Sequence, residues 1–226
     1  MRAILLDALG TLLALEPPAP ALVRSLRSEH GLRVAPDAAA RAFRAEIAYY
    51  RAHHVEGRDT ATLADLRRRC AEVLREELPE AVGKQLSLAQ LSATMLGSLR
   101  FSAYPDVAPA LEALRARGVK LLVVSNWDVS LPAVLEASAL AGLLDGVITS
   151  AAVGQPKPGR AIFQAALALA GVSAHEALHV GDSPAHDVLG ARAAGIEPVL
   201  LHRADAHPRE APAGVAVISS LTDLLA

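Results

Sequence analysis

Cysteine is nearly absent. The single Cys70 excludes an internal disulfide and suits a reducing compartment. It follows Arg67-Arg68-Arg69 in a helical pattern with no partner base, so it reads as one face of a helix rather than a reactive thiol. Lysine is scarce as well, three residues against nineteen arginines, and aromatics make up only 3%. No surplus of positive charge exists: the net charge of -2 and a pI near 6.4 remove the electrostatic case for a nucleic-acid partner. No apolar run is long enough to span a bilayer, and Asp7 interrupts the N-terminal one too early for a signal peptide. A cytoplasmic location without a membrane partner is the expectation. A Gly-x-Ser-x-Gly elbow, a Walker loop and a Gly-x-Gly-x-x-Gly turn are also missing, which removes serine-hydrolase and nucleotide-fold readings.

What is present is length enough for one or two domains, 226 residues, and 52% hydrophobic content, much of it alanine and leucine at helical spacing. Residues 3–6 form a short apolar run that stops on Asp7, and Gly10 and Thr11 then allow a tight turn. In a parallel α/β sheet, ligands sit beyond the carboxyl ends of strands. Asp7 is therefore a nucleophile, a metal ligand or a helix cap. A proline cluster at 17–20, which is expected to continue neither strand nor helix, marks a hinge. Helical periodicity then predicts four helices, over 21–30, 36–52, 60–78 and 87–99, without convincing strands.

A second hinge at 101–106 returns the chain to α/β alternation. Asp106 is placed to cap the helix that ends before Gly118. Strands are predicted at 119–124, 146–149, 177–180, 198–201 and 215–218, with helices at 131–141, 161–170, up to 194 and at the C-terminus. The stretch 204–214 is the one candidate for disorder. The whole reads as an α/β chain, a doubly wound parallel sheet carrying an all-helical insert: core at 1–16 and 101–226, cap at 17–100.

The chemically suggestive residues fall where predicted strands stop. Asp7 follows the first; Ser125 and Asn126 follow the second. Lys157 lies in the loop after the third, and Asp182 follows the fourth, with Asp187 in the next helical turn. Parallel strands bring these ends to one edge. Acidic oxygens without histidine or thiol at matching positions point to a hard cation such as Mg²⁺ rather than zinc. A lysine between two prolines, in a chain that otherwise uses arginine, supplies a compact point charge. The set suits phosphoryl transfer, where placement and neutralisation do most of the catalysis.

These residues carry a family resemblance. Asp7-Ala-Leu9-Gly-Thr11 resembles the first motif of the haloacid dehalogenase (HAD) superfamily, usually Asp-x-Asp-Gly-Thr. Val123-Val-Ser125-Asn126 resembles its second, Lys157-Pro158 its third, and Gly181-Asp182 with Asp187 its fourth. The helical insert stands where that family carries its C1-type cap. The resemblance implies a Rossmann-like core and a covalent aspartyl intermediate. In its terms Asp7 is nucleophile and metal ligand, Ser125 holds the transferring group, and Asn126 and Thr11 serve substrate or loop. Lys157 neutralises charge, and the Leu9 carbonyl and Asp182, supported by Asp187, complete a Mg²⁺ site. The substrate would be a small phosphate ester.

Position 9 departs from the pattern. Leucine cannot protonate a leaving alkoxide or activate water, help worth about 10²–10⁴-fold. The family's metal-independent 2-haloacid dehalogenases lack that acid too, with a first motif resembling Asp-Ala-Tyr-Gly-Thr, so a 2-haloacid substrate is the alternative. Gly181-Asp182 argues against it, because two carboxylates side by side are costly without a cation. A binding protein on the same scaffold, its chemistry lost, is the third reading. Arg41, Arg44, Tyr49, Tyr50 and Arg51 are surface residues of the insert, of which one or two are candidates to meet an anionic substrate. His53-His54 cannot share a helix face and make no metal site. His186 is incidental, Trp127 and Asp128 line the entrance or pack, and Gly159 is structural.

Overall fold

The computed structural model describes residues 1–203 and 210–226. The chain begins with β1 (Ala3–Leu6) and β2 (Leu13–Leu15). Five helices follow: α1 (Pro18–His30), α2 (Pro36–His53), α3 (Thr60–Glu77), the short α4 (Glu80–Gly83) and α5 (Leu88–Ser98). Then come β3 (Phe101–Ala103), α6 (Val107–Ala116), β4 (Lys120–Ser125), α7 (Leu131–Ala137), β5 (Gly146–Thr149) and α8 (Ser150–Val153). The last stretch holds α9 (Arg160–Ala170), β6 (Ala177–Gly181), a π-helical turn (Pro184–Val188), α10 (Leu189–Ala193), β7 (Glu197–Leu201), β8 (Ala216–Ile218) and a 3₁₀ turn (Leu221–Leu225).

The described residues divide into two compact units, one of Met1–Ala14 with Ser102–Ala226 and one of Leu15–Phe101. In the first, six strands stand in the order β5-β4-β1-β6-β7-β8, each pair parallel. All four residues of β1 are buried and β4 is buried after its first residue, the continuous apolar run of strands covered on both faces. Strand order reverses at β1, which lies between β4 and β6, so the crevice beyond its carboxyl end is the expected ligand position. Leu6 pairs with both Val123 and Val180, which sets the ends of the three central strands nearly level. On one face, Ile162, Phe163 and Ala166 of α9 pack against Leu5, Leu122 and Val124.

The second unit is helical. α1 packs on α2, α2 on α3, α3 on α5 and α5 back on α1. Its core includes Leu22, Leu26, Phe43, Leu66, Leu74 and Leu91. Capping boxes open two of these helices, Asp59 with Thr62 for α3 and Ser87 with Gln90 for α5.

Several sequence expectations need correction. The proline cluster does not stop a helix but starts one: Pro18 and Pro20 occupy the first turn of α1, where an amide N–H has no intrahelical acceptor to lose. The helix expected over 131–141 ends at Ala137, because Ala139 turns left-handed at φ 58° and Leu140 N–H closes onto the Leu135 carbonyl. An alanine does there what glycine usually does, and the sequence gives no warning. Strands β2 and β3, three residues each, pair in a sheet of their own and carry too little pattern to be read. Asp106 precedes α6 without capping it, its side chain being taken by Arg203, Ser220 and Leu221. The C-terminal helix is a 3₁₀ turn. Of the disorder candidate 204–214, residues 204–209 lie outside the described residues, and β8 begins just beyond it. No described helix is long and apolar enough to cross a membrane.

A carboxylate is buried in the helical unit. Glu46 on α2 is 4% exposed, and burial pushes its carboxyl up to about 7, against a hydrogen bond with Cys70 of α3. Folded protein then binds more protons than unfolded protein between the ordinary 4.5 and about 7, so stability falls as pH rises through that window. The full cost above it is on the order of 3 kcal/mol. Urea unfolding is expected to show stability dropping from pH 5 to pH 7.5 in the native chain. Glu46→Gln is expected to flatten that dependence and to be the more stable form at pH 8.

Candidate active site

Every residue singled out at the predicted strand ends lies in the first unit. Asp7 leaves β1 with its N–H on the Val180 carbonyl at 2.9 Å, which keeps it beside β6 for one residue past the strand. Its chain then folds tightly: the Ala8 carbonyl accepts from the amides of Thr11, Leu12 and Leu13. Gly10 permits this turn with φ at +84°, and a Cβ there would lie 2.8 Å from Asp182 Oδ2. Glycine is needed for the conformation and for the carboxylate beside it.

The centre of the site is Lys157. The residue is 3% exposed, and its ammonium donates to Asp7 Oδ1 and to Asp187 Oδ1, both at 2.6 Å. Ser125, the last residue of β4, donates its hydroxyl to the same Asp7 oxygen at 3.0 Å. Asn126 does not point at these groups. Its amide grips the Lys157 backbone instead, accepting from the N–H at 2.7 Å and donating to the carbonyl at 3.1 Å. That pair of bonds positions the lysine loop from the end of β4. Thr11 is fully buried, and its hydroxyl finds no hydrogen-bond partner among the described residues.

Asp187 is reached through the π-helical turn after β6, a rare geometry that often marks functional sites. Its Oδ2 accepts from the Ser183 N–H at 3.0 Å, and Oδ1 is shared between Lys157 and His179 Nε2, the latter at 2.9 Å. Gly181 makes room for it, since a Cβ at that position would fall 2.2 Å from Asp187 Cγ. Asp182 is half-buried, and one carboxylate oxygen from each of Asp7, Asp182 and Asp187 lies within 4.8 Å of the others.

Electrostatics follow from this crowding. Burial pushes the Asp7 carboxyl above its ordinary range against the pull of Lys157, and the Asp187 charge adds to the rise. Burial disfavours the Lys157 ammonium, yet Asp187 and Asp7 together hold it above the usual lysine value. Burial likewise opposes ionisation of Asp187, but Lys157 and His179 keep its carboxyl well below the usual range. Two carboxylates share the ammonium and a third lies within 4.8 Å of both, a grouping whose charge a dication would offset. The all-oxygen donor set fits a hard ion such as Mg²⁺.

Two contributors escaped the sequence reading. His179 is fully buried within β6, bonded to Asp187 and packed edge-on against Phe163 at 5.0 Å. The signal was there: an imidazole in the otherwise apolar run Ala177-Leu-His-Val180 is the buried polar residue that asks for a partner. Arg203 is the other, and no local pattern marks it. Of the residues weighed at the margins, His186 is exposed and bonded to Ser183. Trp127 is buried with its backbone pinned by Ser150, and Asp128 accepts from Ser130 N–H ahead of α7. Gln155 accepts from the Ala161 amide at the start of α9, a role that Gly159 cannot fill. In the helical unit Arg41 pairs with Asp37, and Tyr49 accepts from Arg69 and stacks on His53.

A family model described as hydrolase, haloacid dehalogenase-like hydrolase, matches residues 1–195. The chain is 33% identical over 152 residues to a ribulose-1,5-bisphosphate 5-phosphatase of Halopiger xanaduensis, covering 59% of this chain and 64% of that protein. Matches to the haloacid dehalogenase-like hydrolase domain-containing protein 3 of Bos taurus and of Xenopus laevis span only 36% and 40% of those proteins' length. Among solved structures, a HAD phosphatase from Thermococcus onnurineus is similar at TM-score 0.64 and 27% identity, covering 99% of this chain and 96% of that one. A 2-haloacid dehalogenase from Pseudomonas syringae pv. Tomato shares the fold at TM-score 0.69 and 23% identity, over 100% of this chain and 96% of its own.

The tight fit around Asp187 generates a prediction. Its carboxylate is held by Ser183, His179 and Lys157 and has no free direction in which to retreat from a methyl group at position 181. Gly181→Ala is expected to lower stability to urea by about 1–3 kcal/mol. An unchanged unfolding midpoint would show that the carboxylate is less constrained than these bonds indicate.

Proposed function

The chain belongs to the haloacid dehalogenase-like hydrolases, and from that footing we propose that it is a Mg²⁺-dependent phosphomonoesterase acting on a small phosphorylated metabolite. The observation that carries this reading is the third carboxylate. Asp182 is brought beside Asp7 and Asp187, one oxygen of each lying within 4.8 Å of the others, with Lys157 paired to Asp7 and Asp187. Displacing a halide through an alkyl ester gives no use for that arrangement, whereas transfer of a dianionic phosphoryl group does. A curated relative named as a phosphatase supports it further.

In this reading Asp7, Asp182 and the Leu9 carbonyl would hold the ion, supported by Asp187, and the chemistry Mg²⁺ would supply is neutralisation of phosphoryl charge. The Asp7 carboxylate attacks phosphorus, a bond forms from its oxygen, and the ester P–O bond breaks. Ser125 and Lys157 hold that carboxylate in place, and the ammonium offsets the charge that passes from Asp7 to the phosphoryl oxygens. The leaving alkoxide takes its proton from water, because Leu9 carries none. Water then attacks the aspartyl phosphate, which releases inorganic phosphate and a proton and restores Asp7.

Leu9 favours one other reading, a metal-independent 2-haloacid dehalogenase, since a halide needs no proton. The two separate in one experiment. Phosphate release from p-nitrophenyl phosphate is expected with Mg²⁺, to be abolished by EDTA and by Asp7→Asn. Leu9→Asp is expected to raise kcat on an alkyl phosphate by about 10²-fold or more, with a smaller gain on the aryl ester, whose leaving group needs less help. Halide release from a 2-haloacid, with no phosphate release under any condition, overturns the phosphatase reading.

A further inference from the structure

Arg203 is a charged residue buried to 8% exposure two positions past the end of β7. Its guanidinium joins two separate parts of the first unit, the turn at Thr11 and the segment of Tyr104 and Asp106. Nη1 donates to Asp106 Oδ1 and Nη2 to the carbonyl of Thr11, both at 2.6 Å, and the planar group lies 4.1 Å from the centre of the Tyr104 ring. Asp106 is itself fixed from the other side: its Oδ2 accepts from the Ser220 hydroxyl at 2.8 Å and the Leu221 amide at 2.7 Å. The carboxylate that precedes α6 thus serves as the anchor of the arginine. The Tyr104 amide adds a parallel tie, donating to the Leu12 carbonyl at 3.1 Å.

Two consecutive carbonyls, Thr11 and Leu12, are therefore held from outside the turn that begins at Asp7. Within the turn the Ala8 carbonyl is shared among three amides, and Gly10 rests against the Asp182 carboxylate. Such a loop has little slack. A shift at Thr11 passes through Gly10 to the spacing between Asp7 and Asp182. We propose that Arg203 is a positioning residue, whose guanidinium, braced by Asp106 and Tyr104, clamps the Thr11 carbonyl and so sets the register of Asp7 against Asp182. The catalytic consequence rests on the reading of Asp7 as nucleophile; the clamp itself does not. Arginine suits the role because a rigid planar fork meets two acceptors while stacking on a ring. Lysine keeps the charge and loses the fork.

Arg203→Lys is the test, read in two ways. Amide exchange by mass spectrometry is expected to quicken at least about tenfold over residues 10–13, with residues 120–125 of β4 unchanged. Steady-state kinetics with p-nitrophenyl phosphate and Mg²⁺ are expected to show kcat falling about 10²-fold with KM within twofold, the signature of a misplaced nucleophile rather than lost binding. Loop exchange equal to the native chain overturns the proposal, as does a uniform rise across the core, which would make Arg203 a stability residue only. An unchanged kcat in an active protein overturns it too. If the native chain releases no phosphate, the phosphatase reading fails and the exchange arm still decides the clamp. Should Arg203→Lys not fold, Asp106→Asn, which preserves shape and removes the brace, carries the same two measurements.

Discussion

The Lys157 ammonium lies 2.6 Å from one oxygen of Asp7 and one of Asp187, with almost no access to water. Breaking a pair of this kind by removing one partner costs about 3–5 kcal/mol, because the remaining charges are left buried and alone. The surrounding structure serves this contact. Asn126 holds the lysine backbone from the end of β4, and Ser125 shares the Asp7 oxygen. Gly181 gives Asp187 the volume it occupies, and the Ser183 amide and His179 orient it. The loop after β1, the loop before α9 and the turn after β6 thus meet at one positive charge.

That charge does not balance its neighbours. Asp7 remains pushed towards protonation by burial and by Asp187, while Asp187 itself is held ionised. On the proposed reading Asp7 must be ionised to attack, and a cation bound among the three carboxylates would favour that form. The same cation separates the two reactions that this family scaffold invites. On the proposed reading Leu9 leaves the leaving group without a proton donor, and Asp182 would give a metal its further anion. A phosphatase so built would be strong in charge neutralisation and weak in proton transfer.

Around this centre the fold divides its labour by layer. Apolar strands, level at their carboxyl ends, supply a rigid floor on which loops of few residues carry the chemistry. The loop after β1 is stiffened twice, inwardly by the Ala8 carbonyl and outwardly by Arg203 and Tyr104. Rigidity of this kind is what lets a carboxylate be placed to fractions of an ångström.

Read alone, the sequence determined the parallel α/β architecture and the helical block, because both are written in local periodicity: unbroken apolar runs that stop on polar residues, and leucine and alanine at helical spacing. It determined as well which residue types stand at the strand ends. What it did not determine were events that depend on partners far along the chain or on backbone geometry with no residue signature. Ala139 ends α7 in a conformation usually left to glycine, and prolines open α1 rather than exclude it. Asp106 reads as a helix cap from its neighbours and becomes the brace of an arginine instead. Thr11 and Arg203 meet across 192 residues, Asp7 and Lys157 across 150. The second pair was legible because both partners sit at strand ends that parallel pairing must bring together. The first was not, since nothing local distinguishes one arginine among nineteen, and only the packed structure shows that Arg203 is buried.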